Sequence, residues 1–160
     1  MIAKILCSGG AGDVVGYVMR EKHDKEKYTA DTWRLIDSDG VFGDDYRRIV
    51  DSFDIGASLN KRKSDPIGHI SVSFDKADAP RLTDDFMVRL AHEYMKKMGI
   101  TDTQYIIVRH LETECPHFHI VYNRVNLHGK SIDERNNFKR SAEATKSIKK
   151  KYGLTFSPKK

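Results

Sequence analysis

Several short stretches of the chain alternate between apolar and polar residues, and this alternation predicts β-strands because successive strand side chains face opposite sides. The alternation is clearest over residues 67–74, where isoleucine, valine and phenylalanine hold the even positions from 70 onward. Histidine and serine hold the odd positions from 69, so one face of this strand is apolar and the other polar. Further strands are predicted over residues 2–7, 32–36, 105–110 and 117–125.

A second pattern, with apolar residues three or four positions apart, predicts helices between the strands. One long predicted helix begins after Thr83, whose hydroxyl suits an N-cap, and carries Asp84 and Asp85 in its first turn. Gly99 is typical of a residue that ends a helix. Three further helices are predicted, one capped by Asp13, one opened by Asp44 and Asp45, and one running from Asp133 or Asn136 to about Gly153.

The predicted elements follow one another as strand, helices, strand, helix, hairpin and helix. The linker over residues 111–116 is short enough to make the strands on either side of it a hairpin. Hairpin strands pair antiparallel, so we expect an α+β fold with a central antiparallel β-sheet flanked by helices. A length of 160 residues predicts one domain that spans residues 1–160.

Composition narrows the function only weakly. The formal net charge is +5, which favours polyanions such as nucleic acid as partners, although the cations near the C-terminus are equally typical of a solvated helix face. Two cysteines, Cys7 and Cys115, cannot form a disulfide framework or a four-thiolate zinc site. The apolar N-terminal run is too short for a secretory signal and no run reaches membrane-spanning length, so we expect a cytoplasmic protein without membrane association.

Three histidines carry the most specific chemical signal. His117 and His119 alternate along one predicted strand and therefore share a face, while Phe118 points to the other face. The hairpin places His110 opposite the start of that strand, and neighbouring strands lie about 4.8 Å apart. Three imidazoles then converge on one point with one side open, which is typical of a catalytic rather than a structural metal site.

Two other interpretations of this segment stay open. The histidines could be unrelated strand residues, or Cys115 could complete a structural zinc site, although Pro116 and the opposite alternation of Cys115 disfavour that. Glu112 or Glu114 in the turn could accept an N–H from a ligand histidine and fix its tautomer. We expect Glu114 to be solvent-exposed, and His69 on the neighbouring strand could reach the same face.

The chain resembles the relaxase/mobilisation nucleases. Their third motif is similar to His-Leu-Glu at 110–112 together with Pro-His-Phe-His-Ile at 116–120 and Val-Tyr-Asn-Arg-Val at 121–125. Their first motif, which carries the nucleophilic tyrosine, resembles the opening strand, the Gly-rich turn and Val-Gly-Tyr-Val at 15–18. Residues 69–74 are similar to the second motif, and the turn at 127–130 also fits. Relatives often have histidine and aspartate where this chain has Cys115 and Glu112; Glu112 keeps the carboxylate.

This resemblance implies the palm fold of the His-hydrophobic-His endonucleases and a single-stranded DNA substrate at an origin of transfer. A divalent metal, Mg²⁺ or Mn²⁺, with Zn²⁺ or Ni²⁺ possible in a purified sample, would bind the three histidines. Tyr17 would attack the scissile phosphate and form a 5′-phosphotyrosyl link, with Asp13 or Glu112 accepting the phenolic proton. Accessory mobilisation and coupling proteins are implied partners, and the chain is expected to be the N-terminal part of a longer protein.

Phosphate contacts would come from cations and base stacking from aromatic side chains. Trp33 is the candidate for stacking, as the one large side chain expected to be exposed. Tyr28 is a rival nucleophile in a more polar setting. The predicted DNA-binding residues, each of which also suits a solvated surface, are Arg20, Lys22, Lys61, Arg62 and Lys63.

Three rival functions remain. Replication initiators and single-tyrosine transposases share the metal motif, but their nucleophile follows the histidine pair, whereas Tyr17 precedes it. A metal-dependent phosphodiesterase would use water and leave Tyr17 structural. A non-enzymatic basic DNA-binding module would hold zinc as a structural ion.

Overall fold

A computed structural model describes residues 1–20 and 32–156. Its strands are β1 (Ile2–Gly9), β2 (Trp33–Asp39), β3 (Ile67–Ser73), β4 (Tyr105–His110) and β5 (His117–Asn123). Its helices are α1 (Ala11–Val18), α2 (Tyr46–Ala57), α3 (Asp84–Lys97) and α4 (Asn137–Tyr152), with a short 3-10 helix at Lys76–Arg81.

The five strands form one antiparallel sheet in the order β1-β3-β5-β4-β2. β4 and β5 form the predicted hairpin, and His110 lies directly opposite His117 in its register. The α+β fold with an antiparallel sheet flanked by helices is therefore confirmed. β1 and β2 are the edge strands, so the strand that begins the chain lies beside β3.

Each face of the sheet packs against a different pair of helices. The larger core joins α3 and α4 to one face, where Leu90 and Tyr94 pack with Phe118 and Ile120. The smaller core joins α1 and α2 to the other face, where Val15 and Phe53 are fully buried. The histidines of β4 and β5 lie on this second face, because their alternation is opposite to that of Phe118.

The ends of the helices test the capping predictions. Thr83 caps α3, its hydroxyl accepting from the backbone N–H of Phe86 as predicted. Asp45 caps α2 in the same way, accepting from Arg48 N. The prediction for Asp13 is wrong, because α1 starts at Ala11 after an extended Gly10, which leaves Asp13 inside the first turn.

The last helix starts at the second of its two predicted positions. Asn136 is the residue before α4, and Gly153 ends the helix with a positive φ of 64°. β5 stops at Asn123, two residues earlier than predicted, and Val125 pairs with Ser131 in an isolated bridge. Within the described ranges, none of the helices combines the length and the apolar character needed to cross a membrane.

Candidate active site

The three predicted histidines come together at one end of the sheet. His110 ends β4, while His117 and His119 lie on β5, and one ring nitrogen from each falls within 4.8 Å of the others. His110 and His119 are buried and His117 is half-buried. Cys115 is exposed and is not part of this group, so the cluster offers three nitrogen donors and no thiolate.

Backbone carbonyls set the tautomers of two of these rings. His110 Nε2 lies 2.8 Å from the carbonyl oxygen of Val18, which can only accept, so this nitrogen carries the proton and Nδ1 keeps its lone pair. His117 Nδ1 lies 3.2 Å from the carbonyl oxygen of Cys115 and 2.9 Å from the Thr113 hydroxyl. That hydroxyl already donates to the Cys115 carbonyl, so His117 Nδ1 is the donor and its Nε2 is available as a ligand.

The third ring has a different kind of partner. His119 Nδ1 lies 2.7 Å from Nε2 of His69, a buried histidine on β3. Either nitrogen could donate in this pair. The polar face of the 67–74 alternation indicated that His69 could reach the cluster, but a hydrogen bond between two imidazoles leaves no signal in the sequence.

Burial keeps the imidazoles of His69, His110 and His119 neutral. Desolvation lowers the pKa of His110 and of His69 to about 4 in each case. Desolvation also lowers the pKa of His119, with the neighbouring His110 adding to the effect. Neutral imidazole is the form that binds a metal ion, so His110 and His119 are in the state that a metal requires. Three converging ring nitrogens with one open side fit a divalent metal.

Tyr17 projects from α1 into the same cleft. Its side chain is 47% exposed, and its ring centroid lies 5.7 Å from that of His69 and 6.2 Å from that of His119. Tyr17 therefore lies beside the histidines, and its role as the nucleophile stays a prediction. The rival Tyr28 lies outside the described residues, and Asp13 is not among the described residues that line the cleft.

A charged pair closes one side of the cluster. Arg20 donates from Nη2 to Nδ1 of His110 at 3.0 Å and forms an ion pair with Glu112. The nearest Glu112 oxygen is 4.0 Å from His110 Nδ1, too far for a hydrogen bond. Glu112 therefore orients Arg20 rather than a ligand histidine, and Arg20 contacts the same lone pair that a metal would use. Glu114 is exposed as expected and pairs with Lys76.

The edge strand β1 supplies the opposite wall. Lys4 and Leu6 line the cleft with Ser71, and the register aligns Lys4 with Ser71 and Ser71 with His119 across the sheet. Sequence reasoning missed these residues, because nothing in the local pattern shows that β1 pairs with β3.

The predicted DNA contacts are scattered over the structure. Arg20 lies in the cleft and Lys22 lies outside the described residues. Lys61, Arg62 and Lys63 form a loop before β3, at the end of the sheet away from His117. The interpretation of Trp33 as a large exposed side chain is wrong, since it is half-buried against the α1 and α2 core.

Comparison with known proteins concerns both the fold and the histidine site. A family model described as "Relaxase: MobA/VirD2-like, nuclease domain" matches residues 17–154, which is most of the 160-residue chain. No curated protein and no solved structure gives a significant match. The match starts at Tyr17 and includes the three histidines, the hairpin and both helices of the larger core. The chain therefore belongs to the relaxase family of DNA-nicking mobilisation nucleases, in its MobA/VirD2-like group.

Proposed function

We propose that this protein nicks one DNA strand at an origin of transfer by joining the strand to Tyr17. The observation that carries the proposal is the position of Tyr17, with its ring 6.2 Å from that of His119 in the cleft that holds the three histidines. Tyr17 is half-exposed in this cleft, which suits contact with a DNA backbone. The reaction would begin mobilisation of a plasmid or integrative element in the cytoplasm, together with accessory and coupling proteins.

The proposed step exchanges one phosphodiester for another. The bond from Tyr17 Oη to phosphorus forms and the bond from phosphorus to the 3′ oxygen breaks, which leaves a 5′-phosphotyrosyl link and a free 3′-hydroxyl. A phenol has an ordinary pKa of about 10, so its proton must pass to a base during attack. Glu112 lines the cleft and is our candidate for that base, with Asp13 as the alternative; the 3′ oxygen takes up a proton on leaving.

Charges around the cleft suit an anionic strand. A divalent ion, Mg²⁺ or Mn²⁺, held by His110, His117 and His119 would polarise the phosphate oxygens. Arg20 and Lys4 lie on opposite sides of the histidines and would contact phosphates of a single strand that crosses the cleft. Lys22, Lys61, Arg62 and Lys63 remain candidates for contacts with more distant phosphates.

A covalent adduct tests the proposal directly. The protein is incubated with Mn²⁺ and single-stranded oligonucleotides tiled across the DNA around its gene, and then denatured in detergent and electrophoresed. We expect a slower protein–DNA band that disappears in Tyr17→Phe and persists in the matched control Tyr28→Phe. An adduct that persists in Tyr17→Phe rules out this nucleophile. Cleavage without an adduct favours a water-using phosphodiesterase, and stoichiometric zinc without cleavage favours a binding module.

The positions of the later tyrosines argue against a replication initiator. In such enzymes the nucleophile follows the histidine pair, and only Tyr122 and Tyr152 follow His119 in this sequence. Tyr122 is buried in the core on the opposite face of the sheet. Tyr152 lies on α4 and donates its hydroxyl to Glu93 on the same side. Neither ring is among the residues that line the histidine cleft.

A further inference from the structure

We propose that His69 is a positioning residue, which accepts a hydrogen bond from His119 and so directs Nε2 of His119 toward the metal. This inference rests on the proposed metal centre and concerns a residue outside the histidine triad. It also gives His69 a second task, because the same ring supports the ring of Tyr17.

The need for such a residue follows from the tautomers. His110 and His117 each donate to a backbone carbonyl, which cannot donate in return, so the folded backbone alone leaves one lone pair on each ring. The ring partner of His119 is another imidazole, which can donate or accept. Only when His119 Nδ1 is the donor does its Nε2 keep a lone pair. His69 must therefore present Nε2 as an acceptor.

His69 is held in the place that this role requires. It is 6% exposed, and its Nε2 lies 2.7 Å from His119 Nδ1, a short and well-formed hydrogen bond. It lies on β3, whose register with β5 is continuous along all seven residues. A ring fixed on a central strand and removed from water holds its partner with little rotational freedom.

The same ring also contacts the proposed nucleophile. The centroid of Tyr17 lies 5.7 Å from that of His69, and the centroids of His69 and His119 lie 4.9 Å apart. His69 thus contacts one side of the proposed metal centre and one side of the nucleophile. Loss of this ring should disturb metal binding first and the placement of Tyr17 second.

A different role as a fourth metal ligand predicts a different outcome. His69 Nε2 faces His119 Nδ1, so ligation through that atom would have to break the hydrogen bond between them. The nitrogens that converge are those of the other three histidines. Glutamine at position 69 separates the two roles, because its amide oxygen can accept the hydrogen bond but cannot replace a metal-bound imidazole.

The test compares His69→Gln with His69→Leu in the 160-residue chain. Glutamine places an accepting oxygen near the position of Nε2, whereas leucine fills the space without an acceptor. The control is His92→Leu, because His92 is exposed on α3 and paired with Asp37, away from the cleft. Mn²⁺ affinity is measured by calorimetry, the Co²⁺ absorption spectrum reports coordination, and near-ultraviolet circular dichroism confirms that each variant is folded.

We expect His69→Leu to bind Mn²⁺ about 10- to 100-fold more weakly, and His69→Gln to recover most of that loss with an unchanged Co²⁺ spectrum. His92→Leu should bind as the wild type does. Wild-type affinity in His69→Leu overturns the proposal, and so does a folded His69→Gln as weak as His69→Leu. Failure of the wild-type chain to bind any divalent ion would instead overturn the metal centre itself.

Discussion

At the scale of single residues, the hydrogen-bond acceptor beside each imidazole of the cluster determines which ring nitrogen carries the proton. Val18 and Cys115 contribute only their carbonyl oxygens, and these fix the proton on His110 and His117. Side-chain substitution at either position would leave the carbonyl in place, so the identity of Val18 or Cys115 matters little to the tautomer.

Arg20 gives the first prediction at this scale. Its guanidinium donates to the Nδ1 lone pair of His110 that a metal would occupy, and its positive charge repels a cation. We expect Arg20→Ala to bind Mn²⁺ several-fold more tightly without DNA, as measured by calorimetry. The same variant should bind single-stranded oligonucleotides more weakly, with a salt slope about one unit smaller.

Arg89→Ala serves as the control, because Arg89 is an exposed arginine on α3, on the other side of the sheet. It should leave metal affinity unchanged. An Arg20→Ala protein with wild-type Mn²⁺ affinity would show that the guanidinium does not compete with the ion. Unchanged oligonucleotide binding would remove Arg20 from the proposed phosphate contacts.

At the scale of elements, one carboxylate links the start of α3 to two strands. Asp84 accepts from Arg34 on β2 and from Arg109 on β4, each at 2.8 Å. The hydrogen bond from Arg34 is the main reason that the pKa of Asp84 is lowered. A carboxylate with a lowered pKa stabilises the fold above its unfolded pKa of about 3.9, and this contribution is lost as pH falls through the folded pKa.

We therefore expect Asp84→Asn to lower the free energy of unfolding at pH 7 by roughly 0.5–1 kcal/mol, a value reduced by the partial exposure of the pair. The difference from wild type should shrink as pH falls through the lowered pKa. Urea unfolding at pH 7 and at acidic pH measures both effects. Asp85→Asn, in the same first turn, should show only the smaller helix-dipole effect. An equal loss in both variants would contradict a role for the arginine bridges.

Prediction from sequence succeeded for elements whose signals are local. Alternation placed Phe118 and His119 on opposite faces of β5, and the Thr83 hydroxyl marked the start of α3. Asp13 failed because an extended glycine can begin a helix without any side-chain cap, so Gly10 allowed α1 to start earlier than the acidic residue suggested. The register of the hairpin was also predictable from the sequence, because a short linker limits which residues of the two strands can face each other.

At the scale of the whole molecule, strand order determines which residues share the cleft. β1 lies beside β3 rather than beside its neighbour in the chain, and this long-range pairing places Lys4 and Leu6 near the histidines. No local pattern records such a pairing. It also separates Lys4 from the basic loop at 61–63, because that loop precedes β3 at the end opposite Ser73. Lys4 aligns with Ser71, four residues along β3 from Ile67, so about 13 Å of strand separates it from the end of the sheet where the loop lies.

This separation predicts that the length of a DNA strand determines which of these cations it contacts. An oligonucleotide of about 5 nucleotides, which occupies the cleft, should bind Lys4→Ala more weakly than wild type. It should bind the triple variant Lys61→Ala, Arg62→Ala, Lys63→Ala with wild-type affinity. An oligonucleotide of about 25 nucleotides reaches both ends of the sheet, so it should bind both variants more weakly than wild type. Fluorescence anisotropy at two salt concentrations measures the affinities and the salt slopes, with Lys97→Ala on α3 as the matched control.

Because Lys4 aligns through Ser71 with His119, a strand held near the proposed nucleophile must pass within reach of Lys4. If the short oligonucleotide ignores Lys4 but responds to the basic loop, the strand enters from the other end of the sheet, and the proposed path across β1 is wrong.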